Sequence, residues 1–490
     1  MITSSLNSAA ISPFTSATQP GWKISFDDPV GTWSAYYADI TRVLQAAATE
    51  WGSLFDSNAS LEISVRFDPD LTTSFGRSLS SAFLEHNADG IDIYEQGAAA
   101  EINTGLDPNG TTPDIEIAIG VNPSANFLAD SLWFDPDPSA RNAPIPGGHI
   151  DAMSVMLHDL GQAIAYNGWS DWTTGLLPGT YASTFDQYIY EDGTTSYFSG
   201  ANAHDVFGAD LPMAGGNVFH WGDASALPGV VLASELMNGV ALDPQQRYDI
   251  SDLDVAVMRD IGMAVETTRP SITGKQFNFE TGQSISLHFD ESVFAHLDLS
   301  DLTLVRINSG PVWMVPVSDL SLNYDRSSNT ATLTFTGLPG GVLPDGDYQL
   351  LIGAAGVSDL AGNAMSNDVT LNFFVLKGDL NRDGHVSISD LITLASNFGK
   401  TSDTYADGDL NYDGTVSISD FIDLSANFNQ AMPLPVAASA PQPAAAQVIS
   451  APTSTSTEIL AAGRKKSGPA ARNTHILPRR ARHHSRKRHH

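Results

Sequence analysis

Leu157-His158-Asp159-Leu160-Gly161-Gln162-Ala163 decides how the first half of this 490-residue chain is read. It lies inside 152–165, where apolar residues recur at helical spacing and predict a helix. Residues four apart share a helix face, so the His158 imidazole and the Gln162 amide project together. The Asp159 carboxylate stands beside them. Such a helix either carries a polar site or buries one histidine as packing.

The surroundings read as one α/β unit over 21–265. Tyr37, Ile40, Val43, Leu44, Ala47 and Trp51 give 33–55 a helical stripe. Residues 61–67 and 115–119 alternate like half-buried strands. The stretch 167–249 is rich in Gly, aromatic residues and turn signals and is expected to be irregular. A short helix over 252–261 closes the unit. Beyond 266 the pattern changes. Residues 285–289, 332–335 and 369–376 alternate or run apolar between Gly, Pro and Asp turns, the pattern of a small β-sandwich over 266–376. Residues 431–490 are Pro/Ala/Ser-rich and then basic, a composition that buries no core and predicts disorder.

The chain is therefore expected to be multidomain. It has no cysteine, which excludes disulfides, thiolate ligands and a thiol nucleophile. The net charge of −32 hides an asymmetry: residues 1–463 hold 14 basic against 56 acidic side chains, and ten basic residues crowd into 464–488. Such an acidic body repels nucleic acid and attracts divalent cations. The basic tail suits contact with acidic surface polymers. No run reaches the roughly 18 apolar residues of a membrane span. Residues 1–20 show no basic n-region or apolar h-region, so no secretory leader is readable there.

Residues 377–430 contain a repeat of period 30. Gly378-Asp379-Leu380-Asn381-Arg382-Asp383-Gly384 matches Gly408-Asp409-Leu410-Asn411-Tyr412-Asp413-Gly414. Each copy runs on into Val-Ser-Ile-Ser-Asp and a short apolar helix. Calcium takes six to eight oxygens, and alternate residues of a tight loop supply them. The first loop offers Asp379, Asn381, Asp383, the His385 carbonyl, Ser387 through water, and Asp390. The second offers Asp409, Asn411, Asp413, the Thr415 carbonyl, Ser417 and Asp420. Gly384 and Gly414 stand where each loop must turn. One such loop has a surface turn as its lesser alternative; two in register over six ligand positions point to two calcium ions.

Three resemblances follow from these residues. The repeat, with Asp at position twelve of an EF-hand-like loop and one helix after each loop, resembles the dockerin type I module, a small all-α fold ordered by calcium. In dockerins that bind cohesins, a Ser/Thr pair commonly fills positions ten and eleven. Here Ile388-Ser389 and Ile418-Ser419 stand there, which puts a cohesin-like partner in question. The segments Leu343-Pro344-Asp345-Gly346-Asp347-Tyr348 and Asp359-Leu360-Ala361-Gly362-Asn363 make 266–376 resemble bacterial Ig-like domains of surface proteins, a spacer or binding module. Finally, 21–265 resembles bacterial metalloproteases related to leishmanolysin, an α+β, zincin-like fold. That likeness rests on Ser154-Val155-Met156-Leu157-His158-Asp159-Leu160-Gly161, Tyr197-Phe198-Ser199-Gly200-Ala201-Asn202-Ala203, His220-Trp221, Glu235-Leu236-Met237 and 253–262.

Zinc peptidases carry His-Glu-x-x-His on one helix. The resemblance implies His158 and His220 as zinc ligands, Gln162 at the second histidine position, Asp159 at the base position and Met237 under the metal. Gly168, where another family would place its third histidine, offers no ligand. A neutral amide oxygen is a weak zinc donor. Asp159 is one methylene shorter than Glu. It stands either as a short base or as a partner of His158. His149, His204 and Asp171 are the nearby substitutes. Three readings stay open: a secreted zinc endopeptidase using Asp159; a weakly active or inactive protease-like domain that binds a peptide or protein; and a dockerin-bearing component of a polysaccharide-degrading assembly. No carboxylate pair in 21–265 has a sugar-cleaving context. The expected location is extracellular or at the cell surface.

Overall fold

The computed structural model describes residues 19–432 apart from 88, 172, 223–231, 240–241, 308–311 and 402–403. The segment before 19 and the tail beyond 432, with its expected disorder and surface contacts, lie outside the described residues.

Strands β1 (Gly21–Asp27), β2 (Ser60–Asp68), β3 (Ser74–Ser78) and β4 (Ile115–Gly120) form the first sheet, in the order β1-β2-β4-β3. β1, β2 and β4 are parallel, and β3 closes the edge antiparallel to β4. Leu61, Ile63 and Val65 on β2 and Ile115, Ile117 and Ile119 on β4 are buried. The alternation of β2 thus puts one face on the core. Against that core lies α1 (Tyr37–Gly52), burying Ile40, Val43, Leu44, Ala47 and Trp51. Helix α2 (Gly97–Thr104) ends at Gly105, whose φ of +68° is a left-handed C-cap.

Helix α3 (Ala152–Ile164) is the one that carries the opening motif. Asp151 caps it by accepting the Ser154 N–H, and Arg141 grips that cap. The Arg141 guanidinium donates to Asp151 (2.8 Å), the Ser154 hydroxyl (3.1 Å) and the Tyr248 carbonyl (3.1 Å), and it pairs with Asp249. The Trp51 indole donates to the Leu157 carbonyl at 2.8 Å, locking α1 to α3. On the other side α3 is pressed onto the edge strand: a Cβ on Gly76 would stand 1.8 Å from the Asp159 carbonyl oxygen, so only glycine fits.

The stretch expected to be irregular is partly ordered. It contains α4 (Ala201–Phe207) and an antiparallel hairpin of β5 (Leu211–Ala214) and β6 (Asn217–Trp221), with a bulge after Met213. Helix α5 (Asp252–Asp260) follows, opened by a capping box between Ser251 and Asp254.

Next come β7 (Ile272–Asn278), β8 (Ser284–Phe289), β9 (Leu302–Arg306), β10 (Trp313–Met314), β11 (Ser321–Asp325), β12 (Thr330–Thr334), β13 (Gly346–Ile352) and β14 (Val369–Val375). They make two four-stranded antiparallel sheets, β7-β8-β12-β11 and β10-β9-β13-β14. Their inward residues, among them Ile285, Leu287, Leu304, Leu333, Tyr348 and Leu350, form a second core.

A third, small core of Leu376, Leu380, Val386, Leu394, Tyr405, Leu410, Val416 and Leu424 holds α6 (Ile388–Asn397) and α7 (Ile418–Ala426). The two repeats interlock. Val386 bonds the backbone of Asn429 and Gln430, after α7; Val416 bonds that of Gly399 and Lys400, after α6. Each repeat thus pairs its loop with the other's tail, at positions 30 residues apart.

The junction between the first two cores is rich in acids. Asn363 donates to Glu266 at 2.7 Å, and His296 bridges the Asp359 carbonyl to Asp252. Oxygens of Glu266, Glu291 and Asp359 lie within 4.8 Å of one another. Burial, reinforced by Asp359, pushes Glu266 up to about 7; burial, reinforced by Asp359 and Glu266, pushes Glu291 up to about 8. A carboxyl whose folded pKa is raised favours the fold below its unfolded pKa and loses that contribution as pH rises through the folded one. Stability from this junction should therefore fall between about pH 4.5 and 8. Thermal unfolding of wild type and Glu291→Gln checks it. The variant is expected to gain about 1–3 kcal/mol relative to wild type between pH 5 and pH 9. A pH-independent difference would refute the junction as the cause.

Candidate functional site

The structure brings His158, Gln162 and His220 together. α3 presents the first two on one face, and the bulged hairpin swings His220 over them from β6. His158 Nε2 lies 3.2 Å from His220 Nε2, and the Gln162 amide nitrogen lies 2.8 Å from the same His220 atom. The two rings stack with centroids 5.1 Å apart.

The tautomer of His158 is fixed. Its Nδ1 stands 2.8 Å from the Leu236 carbonyl, which can only accept, so Nδ1 carries the proton and Nε2 a free lone pair. Burial lowers the pKa of His158; burial together with the His158 neighbour pushes His220 down to about 3. Both imidazoles are therefore neutral at pH 7, the form that binds metals. His220 Nδ1 is buried without a partner. If the Gln162 N–H donates to His220 Nε2, two lone pairs face one another at 3.2 Å. If the amide is turned over, His220 Nε2–H sits between the Gln162 oxygen and His158.

The spacing of the two imidazoles, though not the chemistry of Gln162, is that of a pair of zinc ligands. Ligands at about 2.0–2.1 Å in a tetrahedron stand ~3.3 Å apart. The two Nε2 atoms are separated by 3.2 Å. The Leu236 carbonyl orients the His158 ring through Nδ1, the kind of outer contact that metal-binding histidines make. The segment behind it is pinned: the Trp221 N–H donates to the Met237 carbonyl at 2.8 Å, and the Gly239 N–H donates to the Trp221 carbonyl at 3.0 Å. Met237 is fully buried, and its sulfur lies 3.2 Å from where a Cβ on Gly161 would be.

Asp159 is buried beside Ser74 of β3. Its Oδ2 has no hydrogen-bond partner, and burial pushes the carboxyl up to about 7, a rise that Ser74 tempers. Among the described hydrogen bonds it makes none to His158. His204 is bonded to Asp210, His149 to the Gly147 carbonyl, and Asp171 closes its own turn through Thr173 and Thr174. None of the three is bonded to the histidine pair. At Gly168 a Cβ would strike Asp186 at 2.0 Å, so that position is a tight turn. Sequence reasoning missed Leu236 as outer partner and Ser74 as the neighbour of Asp159. A backbone carbonyl leaves no mark in sequence, and Ser74-Phe75-Gly76-Arg77-Ser78 has no strand alternation.

Both repeat loops have matching geometry. Asp379 accepts from the Asp383 N–H (3.1 Å) and Gly384 N–H (2.8 Å); Asp409 accepts from Asp413 (3.1 Å) and Gly414 (2.8 Å). Gly384 and Gly414 have φ of +85° and +82°, as the turn requires. Asn381, Asp383, Asn411 and Asp413 lie in the turns, and the carbonyls of His385 and Thr415 follow. Asp390 and Asp420 are fully buried, close capping boxes with Ser387 and Ser417, and accept the Leu380 and Leu410 N–H groups at 2.9 Å. Among the described residues no ion pair reaches the six loop aspartates. Buried acids that no cationic side chain pairs with suit a hard divalent cation. On α6 and α7, Ile388 (61%), Ile392 (60%), Ile418 (62%) and Ile422 (59%) are exposed, so the repeat shows water the same apolar pair twice.

No helix among the described residues is long and apolar enough to cross a membrane. No curated protein matches the chain. Residues 260–375 match the family model of the bacterial Ig-like domain, a kind of domain commonly found outside the cell or on its surface, and they are the residues that build the two-sheet sandwich.

Proposed function

We propose that this chain is an extracellular or surface-borne protein in which a zinc-metalloprotease-like domain, weakly active or inactive, binds a peptide or protein. The Ig-like sandwich spaces it from a calcium-binding, dockerin-like module. The observation that carries this reading is the Gln162 amide on His220 Nε2 at 2.8 Å. An amide in the second histidine position ties His220 to α3 by hydrogen bonding and gives any zinc ion a weak third donor. When bound, zinc supplies Lewis-acid activation of water and carbonyl. His158 and His220 would hold it, and the Leu236 carbonyl orients the His158 ring.

Metal analysis with a casein-cleavage assay tests the proposal. Substoichiometric zinc and negligible cleavage are expected. Gln162→His should tighten zinc at least about tenfold, because it replaces a neutral oxygen by imidazole. Stoichiometric zinc in the wild type, lost in His158→Ala and His220→Ala together with rapid cleavage, would establish instead the active endopeptidase. That second reading is favoured by one observation: an Asp159 carboxyl with a pKa of about 7 and a free oxygen is poised as a base. The exposed isoleucine pairs favour a protein partner for the repeat module, cohesin-like if the chain belongs to a polysaccharide-degrading assembly.

A further inference from the structure

We propose a third calcium site, outside the repeat, between Glu101, Asp107 and Asp114. Glu101 lies on α2, Asp114 immediately precedes β4, and Asp107 lies on the loop between them. One carboxylate oxygen from each falls within 4.8 Å of the others. Two oxygens on opposite sides of a calcium ion stand roughly 4.8 Å apart, so three atoms inside that span fit around one ion.

The second observation concerns unpaired atoms. Glu101 is 3% exposed and Asp114 0%. Each spends one oxygen on the backbone of β2: Oε1 of Glu101 accepts the Ser60 N–H at 3.0 Å, and Oδ2 of Asp114 accepts the Glu62 N–H at 2.8 Å. The other two oxygens, Glu101 Oε2 and Asp114 Oδ1, are buried with no donor on them, so that only a proton shared between the two carboxyls or a cation can satisfy them. Asn109 Oδ1, in the same loop, is buried and unpartnered too, while its amide donates to the Thr112 and Pro113 carbonyls. Asp107 accepts from the Asn109 and Gly110 N–H groups, which hold the loop tight beneath the acids. The nearby Lys23 is engaged with Glu62 at 2.6 Å, and no ion pair reaches the three acids among the described residues.

Two adjacent buried carboxylates with free oxygens need something positive between them. Burial, with Glu101 beside it, pushes Asp114 up to about 7, in line with two carboxylates crowded in one buried site. A proton satisfies one oxygen; a cation satisfies both and draws in Asp107. The donors are all oxygen, which selects calcium over zinc. Asp107 is exposed and leaves the ion a way in. Bound there, calcium clamps the end of α2 to β2 and β4.

Equilibrium dialysis of the full chain with calcium at pH 7.5 tests the site. Asp114→Asn and Asp107→Asn are each expected to bind one ion fewer than wild type, or to weaken one site at least tenfold. The helices of the repeat should still respond to calcium in both. If Asp114→Asn fails to fold, the exposed Asp107→Asn decides alone. Unchanged stoichiometry and affinity in the variants would overturn the site. A gain in thermal stability of Asp114→Asn above pH 7 without loss of an ion would assign the pair a shared proton instead.

Discussion

Arg141→Ala is expected to destabilise the N-terminal unit by about 3–5 kcal/mol, the cost of leaving one member of a buried ion pair behind. The Arg141 side chain is 3% exposed and that of Asp151 0%. Their bond is one of four that the guanidinium makes, with Ser154, the Tyr248 carbonyl and Asp249 as the others. Without it the Asp151 carboxylate stays buried and uncompensated. Asp151 is also the cap of α3, so the start of the helix bearing His158 and Gln162 loosens with it. Arg141→Lys should recover little, because an ammonium lacks the planar fork that reaches several acceptors at once. Urea unfolding measures the effect. A loss below about 1 kcal/mol would mean the pair is dispensable.

Removal of calcium is expected to unfold residues 377–430 while the two larger cores persist. An ion held at 100 times its dissociation constant contributes about 2.7 kcal/mol, so two contribute ~5 kcal/mol. That is comparable to the whole stability of a small domain. The core here is eight buried side chains, too few to hold the fold unaided. Chelation should abolish the helical signal of α6 and α7 and open the segment to protease. Asp390→Ala or Asp420→Ala alone should do the same to both halves. Identical proteolysis patterns with calcium and with chelator would sink the assignment.

Much of this was legible in the chain because local pattern and tertiary role agree. The stripe Ile40, Val43, Leu44, Ala47, Trp51 became α1, and the alternation at 61–67 became β2. The sandwich showed through its alternating strands. His158 and Gln162 share a face by helix geometry alone. His220 was placed only by likeness to a family, since 62 residues of chain separate it from His158 and no periodicity spans them. What stayed hidden was set by contact rather than pattern. Strand β3 is half-buried and dominated by polar and small residues, and it is a strand because β4 offers it an edge. The Arg141 network joins residues 108 positions apart. The cluster around Asp114 needs the end of α2 and the start of β4 to meet, which only the folded sheet arranges.

The reciprocal pairing of the repeats bears on whether one copy can fold alone. A 30-residue copy on its own would leave the backbone of its loop and its tail without these partners. A second copy placed symmetrically, each loop on the other's tail, would restore them. The two tandem copies make that reciprocal pairing within one chain. A chain cut after residue 400 should consequently give no half-module, but a symmetric pair of chains or an unfolded end.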